Sequence, residues 1–165
     1  MAVQSPNELF LEEMGSMYTA EQMILQMLPQ LAKESNNPQA TNAFQMHEQE
    51  TRQQVQNLEQ CFQILGQRPP QKDCYAVAGL KQDHDAFVKK NPSPDVLTAF
   101  DLGAADKTEY LEMASYKGLI EKANLMGESQ VAQLLQQNYQ QEQAMAQRVE
   151  QISMRVGQQL VQKVV

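Results

Sequence analysis

Residues 102–156 read LGAADKTEYLEMASYKGLIEKANLMGESQVAQLLQQNYQQEQAMAQRVEQISMRV, and this stretch decides the fold. Before the break at Gly127, Leu102, Ala105, Glu109, Glu112, Tyr116, Leu119, Ala123 and Met126 recur at spacings of three and four. After it, Ala132, Leu135, Tyr139, Glu142, Ala146, Val149, Ile152 and Val156 do the same. Such spacing puts the named residues on one face of a helix and turns the intervening Gln, Lys and Glu residues to water. Asn124 to Gly127 then marks a tight turn, with Gly127 suited to the left-handed position that ends a helix. The pattern is a helical hairpin, and its apolar face needs a second hairpin to cover it.

The other half of the chain supplies one. Phe10, Met14, Met17, Glu21, Ile24, Leu28 and Leu31 form a stripe on a first helix, and Ala43, His47, Glu50, Gln54, Leu58, Cys61 and Leu65 form one on a second. Ser5 or Asn7 is the expected N-cap of the first helix, and Ser35-Asn36-Asn37-Pro38 separates the two. The expected domain is one all-α four-helix bundle over 1–165, with helices at 7–34, 38–66, 94–125 and 128–160. A long crossover, 67–93, joins the second and third helices. It is long enough to run the length of the bundle, which makes those two helices parallel, and Tyr75 to Lys90 within it suits a short extra helix. Pro29 interrupts the first helical pattern, and a kink is expected one turn before it.

Acid sits near the middle of every seam. Glu21 and Glu50 lie about 15 and 14 residues from the first turn, and Glu112 and Glu142 about 14 and 15 from the second, hence roughly 20 Å along their helices. A single Glu on a seam is usually a surface residue out of phase. Four at matched height are not explained that way. Buried together with Glu109, they repel one another, and no Lys or Arg occupies a seam position to neutralise them. Protonation relieves part of that cost, and two divalent cations relieve more. Carboxylate oxygen with at most one imidazole suits iron or manganese better than zinc. The metal-ligand candidates are therefore Glu21, Glu50, Glu112 and Glu142, then Glu109 and His47, which lie three residues before Glu112 and Glu50 on the same faces.

Other residues read more plainly. Tyr18, Tyr116 and Tyr139 border the acids, where packing with a hydrogen-bonded hydroxyl outweighs a redox role. His84, in an Asp-His-Asp sequence of the crossover, is expected at the surface. Cys61 and Cys74, the only cysteines, make no CxxC pair and are expected as buried free thiols. The formal charge of −7 argues against a nucleic-acid partner. No apolar run approaches the roughly 20 residues of a membrane span. MAVQSPNELF lacks the basic and apolar regions of a secretory leader, so a reduced, cytoplasmic protein is expected.

Leu9 to Glu21 (LFLEEMGSMYTAE), Ala43 to Thr51 (AFQMHEQET), Cys74 to Leu80 (CYAVAGL), Glu109 to Tyr116 (EYLEMASY) and Leu134 to Ala144 (LLQQNYQQEQA) together resemble the bacterial YciE/YciF-like proteins. The resemblance covers about residues 7–155. It implies a ferritin-like bundle, a homodimer, a di-metal centre and a stress-associated role, without a substrate. Many ferritin-like di-iron proteins carry Glu-x-x-His on two helices. Here Gln53 and Met145 stand three residues after Glu50 and Glu142, so the site is short of imidazole. Three functions remain open: redox handling of Fe(II) or peroxide, a structural or binding protein with a static metal, and iron storage in a cage.

Overall fold

The computed structural model describes residues 3–70 and 72–163. Five helices follow in order: α1 (Pro6–Glu34), α2 (Pro38–Ile64), α3 (Tyr75–Val88), α4 (Pro94–Leu125) and α5 (Ser129–Gln162). Among the described residues there is no strand. The ends of the expected 1–165 domain, and Gln71 in the crossover, lie outside them.

Local chemistry sets the helix ends. Ser5, not Asn7, caps α1: its Oγ accepts from Glu8 N at 3.2 Å while Glu8 Oε2 accepts from Ser5 N at 2.9 Å, with Pro6 in the first helical position. Asn37 Oδ1 accepts from the amides of Gln39 and Ala40 and starts α2 just before Pro38. Gly127, at φ 78°, ends α4: its N–H donates to Asn124 O at 3.1 Å and that of Glu128 to Ala123 O at 2.9 Å. Gly66, at φ 66°, ends α2 the same way through Gln63 and Phe62. That device stops α2 at Ile64, two residues before the expected end. Pro29 faces solvent within α1, which continues through it, and the proline leaves the carbonyl of Leu25 without its helical donor.

Helix α1 packs on α2 and α4, α5 on α2 and α4, and α3 lies against α1 and α4. Direction follows from the contacts at one end. Asn36, in the α1–α2 turn, donates from its backbone to Thr98 Oγ1 at 2.8 Å and from its side chain to Asp95 Oδ1 at 2.8 Å, both near the start of α4. Helix α2 therefore leaves that end together with α4, and the two run parallel, as a bundle-length crossover requires. Pro70, at the start of the crossover, fits against Gly15 of α1 so closely that a Cβ there would come within 2.5 Å of the proline ring.

The seams are interior. Leu28, Leu58, Leu119 and Val149 are all at most 2% exposed. Four seam positions differ: Glu50, Leu65, Met126 and Tyr139 are half-buried, and Asn138, beside Tyr139, is fully buried instead. No helix of the described residues is long and apolar enough to cross a membrane.

Candidate metal centre

Each long helix brings ionisable side chains to the middle of the bundle by keeping them in phase with its apolar residues. Glu21 lies between Met17 and Ile24 on α1. Glu109 and Glu112 lie between Ala105 and Tyr116 on α4, and Glu142 between Asn138 and Met145 on α5. All four glutamates are 0% exposed, and His47 of α2 is 2% exposed.

His47, Glu109, Glu112 and Glu142 each offer one ligand atom, and these atoms all lie within 4.8 Å of one another. His47 Nδ1 is 3.1 Å from Glu109 Oε1, and its Nε2 is 3.8 Å from Glu142 Oε2. Neither contact is aligned as a hydrogen bond. Both imidazole nitrogens, both oxygens of Glu109, both of Glu112 and Oε2 of Glu142 have no hydrogen-bond partner. The remaining atom of the set, Glu142 Oε1, accepts from the Gln54 amide.

The other two candidates flank this group. Glu21 Oε1 accepts from the Tyr116 hydroxyl, its other oxygen is unpartnered, and its carboxyl meets that of Glu112. Glu50 reaches the group through its charge, which acts on Glu109 and Glu142, and Arg148 partly offsets the effect of its own burial. Behind the carboxylates runs a polar chain. Asn138 Nδ2 donates to the Tyr116 hydroxyl at 2.9 Å and to Gln54 O at 3.2 Å, and Asn57 Nδ2 donates to Asn138 Oδ1 at 2.7 Å. It fixes the two groups, Tyr116 and Gln54, that orient Glu21 and Glu142.

Burial sets the proton balance of the metal-free protein. Desolvation, then the neighbouring Glu142 charge, holds the Glu21, Glu109 and Glu112 carboxyls well above the usual range. Desolvation pushes Glu142 up to about 7, reinforced by the Glu50 charge and opposed by the adjacent Glu109 carboxyl and by the hydrogen bond it accepts from the Gln54 amide. The same desolvation disfavours the imidazolium and brings His47 down to about 4, so its ring nitrogens offer lone pairs at neutral pH. Three carboxylates and a neutral imidazole, converging with their donor atoms unpartnered, fit a divalent first-row metal.

Several side chains stand elsewhere than expected. Tyr18 is half-buried and donates to Glu59 Oε1 at 2.9 Å, edge-on to Phe62. His84, expected at the surface, is 4% exposed: α3 lies against α1 and α4 and turns the ring toward Glu34 and Asp101. Asp101 was absent from the expected seam and is fully buried. It precedes Leu102, and only the covering helix α3 makes that flank of α4 interior. Asn138 was equally absent, although its place four residues before Glu142 is the signal that could have found it. Cys61 and Cys74 are buried free thiols.

Known proteins agree with this architecture. The chain is 26% identical over 145 residues to Protein YciF of Escherichia coli (strain K12), covering 87% of each chain. The solved structure of the E. coli stress protein YciF superposes with a TM-score of 0.89, covering 94% of this chain and 98% of that one at 24% identity. YcfI from Rhodopseudomonas palustris, provisionally described as a structural protein, superposes with a TM-score of 0.87 at 29% identity over 90% and 94% of the two chains. The family described as a domain of unknown function (DUF892) matches residues 5–162, and the chain, a ferritin-like bundle of the YciF type, belongs to it.

Proposed function

We propose that this protein binds two divalent metal ions, iron or manganese, at the carboxylate centre and handles Fe(II) or peroxide in a stress response. The observation that carries this reading is the set of buried, unpartnered donor atoms on His47, Glu109, Glu112 and Glu142. Groups left this way cost several kcal/mol unless a cation joins them. In the proposal these four form the core of the ligand set, and Glu21 and Glu50 complete it from either side. Bound ions would supply charge neutralisation and open coordination positions for a small oxidant. The protein's part is to hold the ligands in place. Gln54 and Tyr116 orient Glu142 and Glu21, and the apolar layers on both sides exclude bulk water. A cleft of about 310 Å3 between α1 and α4 counts Glu112 among its lining residues, which suits access by a molecule the size of peroxide. The stress role follows the description of the E. coli relative.

A second reading, a static metal that only stabilises the bundle, is favoured by the complete burial of Glu21, Glu109, Glu112 and Glu142. Elemental analysis of protein from its native host, followed by calorimetric Fe(II) and Mn(II) titration, tests the metal. Glu109→Gln with Glu142→Gln should abolish binding at the centre, and unchanged stoichiometry and affinity would overturn the proposal. Consumption of Fe(II) or peroxide by the wild type, lost in the double variant, separates the redox reading from the static one. We also propose that 1–165 acts as one domain and as a homodimer, on the strength of exposed apolar side chains such as Tyr75 at 80%. Sedimentation showing monomer alone at micromolar concentration would refute the dimer.

A further inference from the structure

A second constellation lies outside the carboxylate centre. Glu34, at the end of α1, His84, on the crossover helix α3, and Asp101, on the first part of α4, present ligand atoms that lie within 4.8 Å of one another. His84 Nε2 is 3.1 Å from Glu34 Oε2 and 3.4 Å from Asp101 Oδ1, and Nδ1 stands 3.5 Å from Asp85 Oδ1. His84 is 4% exposed and Asp101 0%, whereas Glu34 retains a partly exposed side chain at 24%. Both carboxylate oxygens of Asp101 lack a hydrogen-bond partner.

A proton on His84 does not satisfy this arrangement. A single N–H on Nε2 can serve Glu34, the better aligned of the two acceptors, and then Asp101 stays buried with no donor for either oxygen. A divalent ion at the convergence point would satisfy an oxygen of each carboxylate and the Nε2 lone pair together, and it would balance the two negative charges. Asp85, facing Nδ1, favours the tautomer with its proton there, the usual outer partner of a metal-bound histidine. The exposed edge of Glu34 provides the route in.

We propose that Glu34, His84 and Asp101 form a second, separate binding site for a divalent first-row transition metal, one that pins the crossover helix to α1 and α4. Asp101 and Glu109 are eight residues apart on α4, so the two sites are about 12 Å apart along the helix. A small apolar cavity of about 30 Å3, lined by Leu28, Val77 and Ala105 among others, has His47 and His84 in its wall. The second site shares no ligand with the centre and does not depend on the function proposed for it.

Zinc chloride is the probe, titrated into the full-length Glu109→Gln, Glu142→Gln variant so that the centre is disabled. The expected result is one zinc ion retained per chain. Adding Asp101→Asn or His84→Gln should weaken that ion by more than about 100-fold, beyond the 10–100-fold range of outer-partner losses. Helical circular dichroism checks folding, and an anomalous-scattering map of zinc-soaked wild-type crystals reads the site without any substitution. A peak among Glu34, His84 and Asp101 supports the proposal. No retained zinc in the folded variant, affinity indifferent to both substitutions, or a map without that peak overturns it.

Discussion

Two levels of the same bundle contrast sharply. Toward the α4–α5 turn, Met14, Leu58, Leu119 and Leu135 are each at most 1% exposed and bring no polar side-chain group into the core. About 10 Å away along α4, one helical heptad from Leu119, the core holds Glu112 with Glu109, Glu142, Glu21 and His47, equally buried. The helices are continuous through both levels, so burial alone does not distinguish them. The apolar level stabilises the fold through the area it removes from water. The acidic level works against folding in the metal-free protein, since desolvated carboxyls must be neutralised by protons or ions. The lesson is that these helices are long enough for apolar layers to hold the fold while the layer between them carries a cluster that could hold metal.

Truncation in the apolar level should give the largest change. Leu58→Ala removes a fully buried side chain and should lower stability by about 2–5 kcal/mol in denaturant unfolding. A loss below 1 kcal/mol, by the same measure, would mean that this level is not the tightly packed part of the core.

The same measurement at the acidic level should reverse the sign. Without metal, Glu109→Gln with Glu142→Gln removes two groups with raised carboxyl pKa values and should leave stability unchanged or raise it, by about 1–4 kcal/mol. With excess Mn(II), the wild type should gain clearly more melting temperature than the double variant, because an ion that binds only the folded chain stabilises it by mass action and the variant has lost the centre. A double variant markedly less stable than metal-free wild type would place the carboxyls among the structural contacts of the core.

Acidity offers a subtler contrast. Glu142, at about 7 folded against an ordinary 4.5, contributes stability that is fully present below about 4.5 and is lost as pH rises through about 7. Glu21, Glu109 and Glu112 shift in the same direction. His47 opposes them: held down to about 4 from 6.5, it contributes stability above 6.5 that is lost as pH falls toward 4. Four carboxyls outweigh one imidazole, so metal-free wild type should gain stability on acidification from pH 8 to about 5. Chemical unfolding across that range should show a weaker trend in the double glutamine variant. An equal trend in both proteins would assign the pH dependence to other groups.

What the sequence determined by itself was periodicity and punctuation. The spacing of Phe10 through Leu31, or Leu102 through Ala123, is a local property of a helix, and it names the inner face before any partner is known. Ser5, Asn37, Gly66 and Gly127 mark helix ends because caps act within a few residues of chain. The same phase put acid on every seam. Tertiary structure alone decided how those acids are shared: His47, Glu109, Glu112 and Glu142 within 4.8 Å, Glu21 turned to Tyr116, Glu50 at the edge. That sharing depends on helix rotation and offset, set by packing across the whole core and not by spacing within any helix. His84 and Asp101 show the limit most clearly. Asp101 lies on a flank of α4 that would face water in a bare four-helix bundle, and it becomes interior only because α3 lies over it. The sequence places a helix in the crossover, but which surface it covers is settled by contacts between residues far apart in the chain.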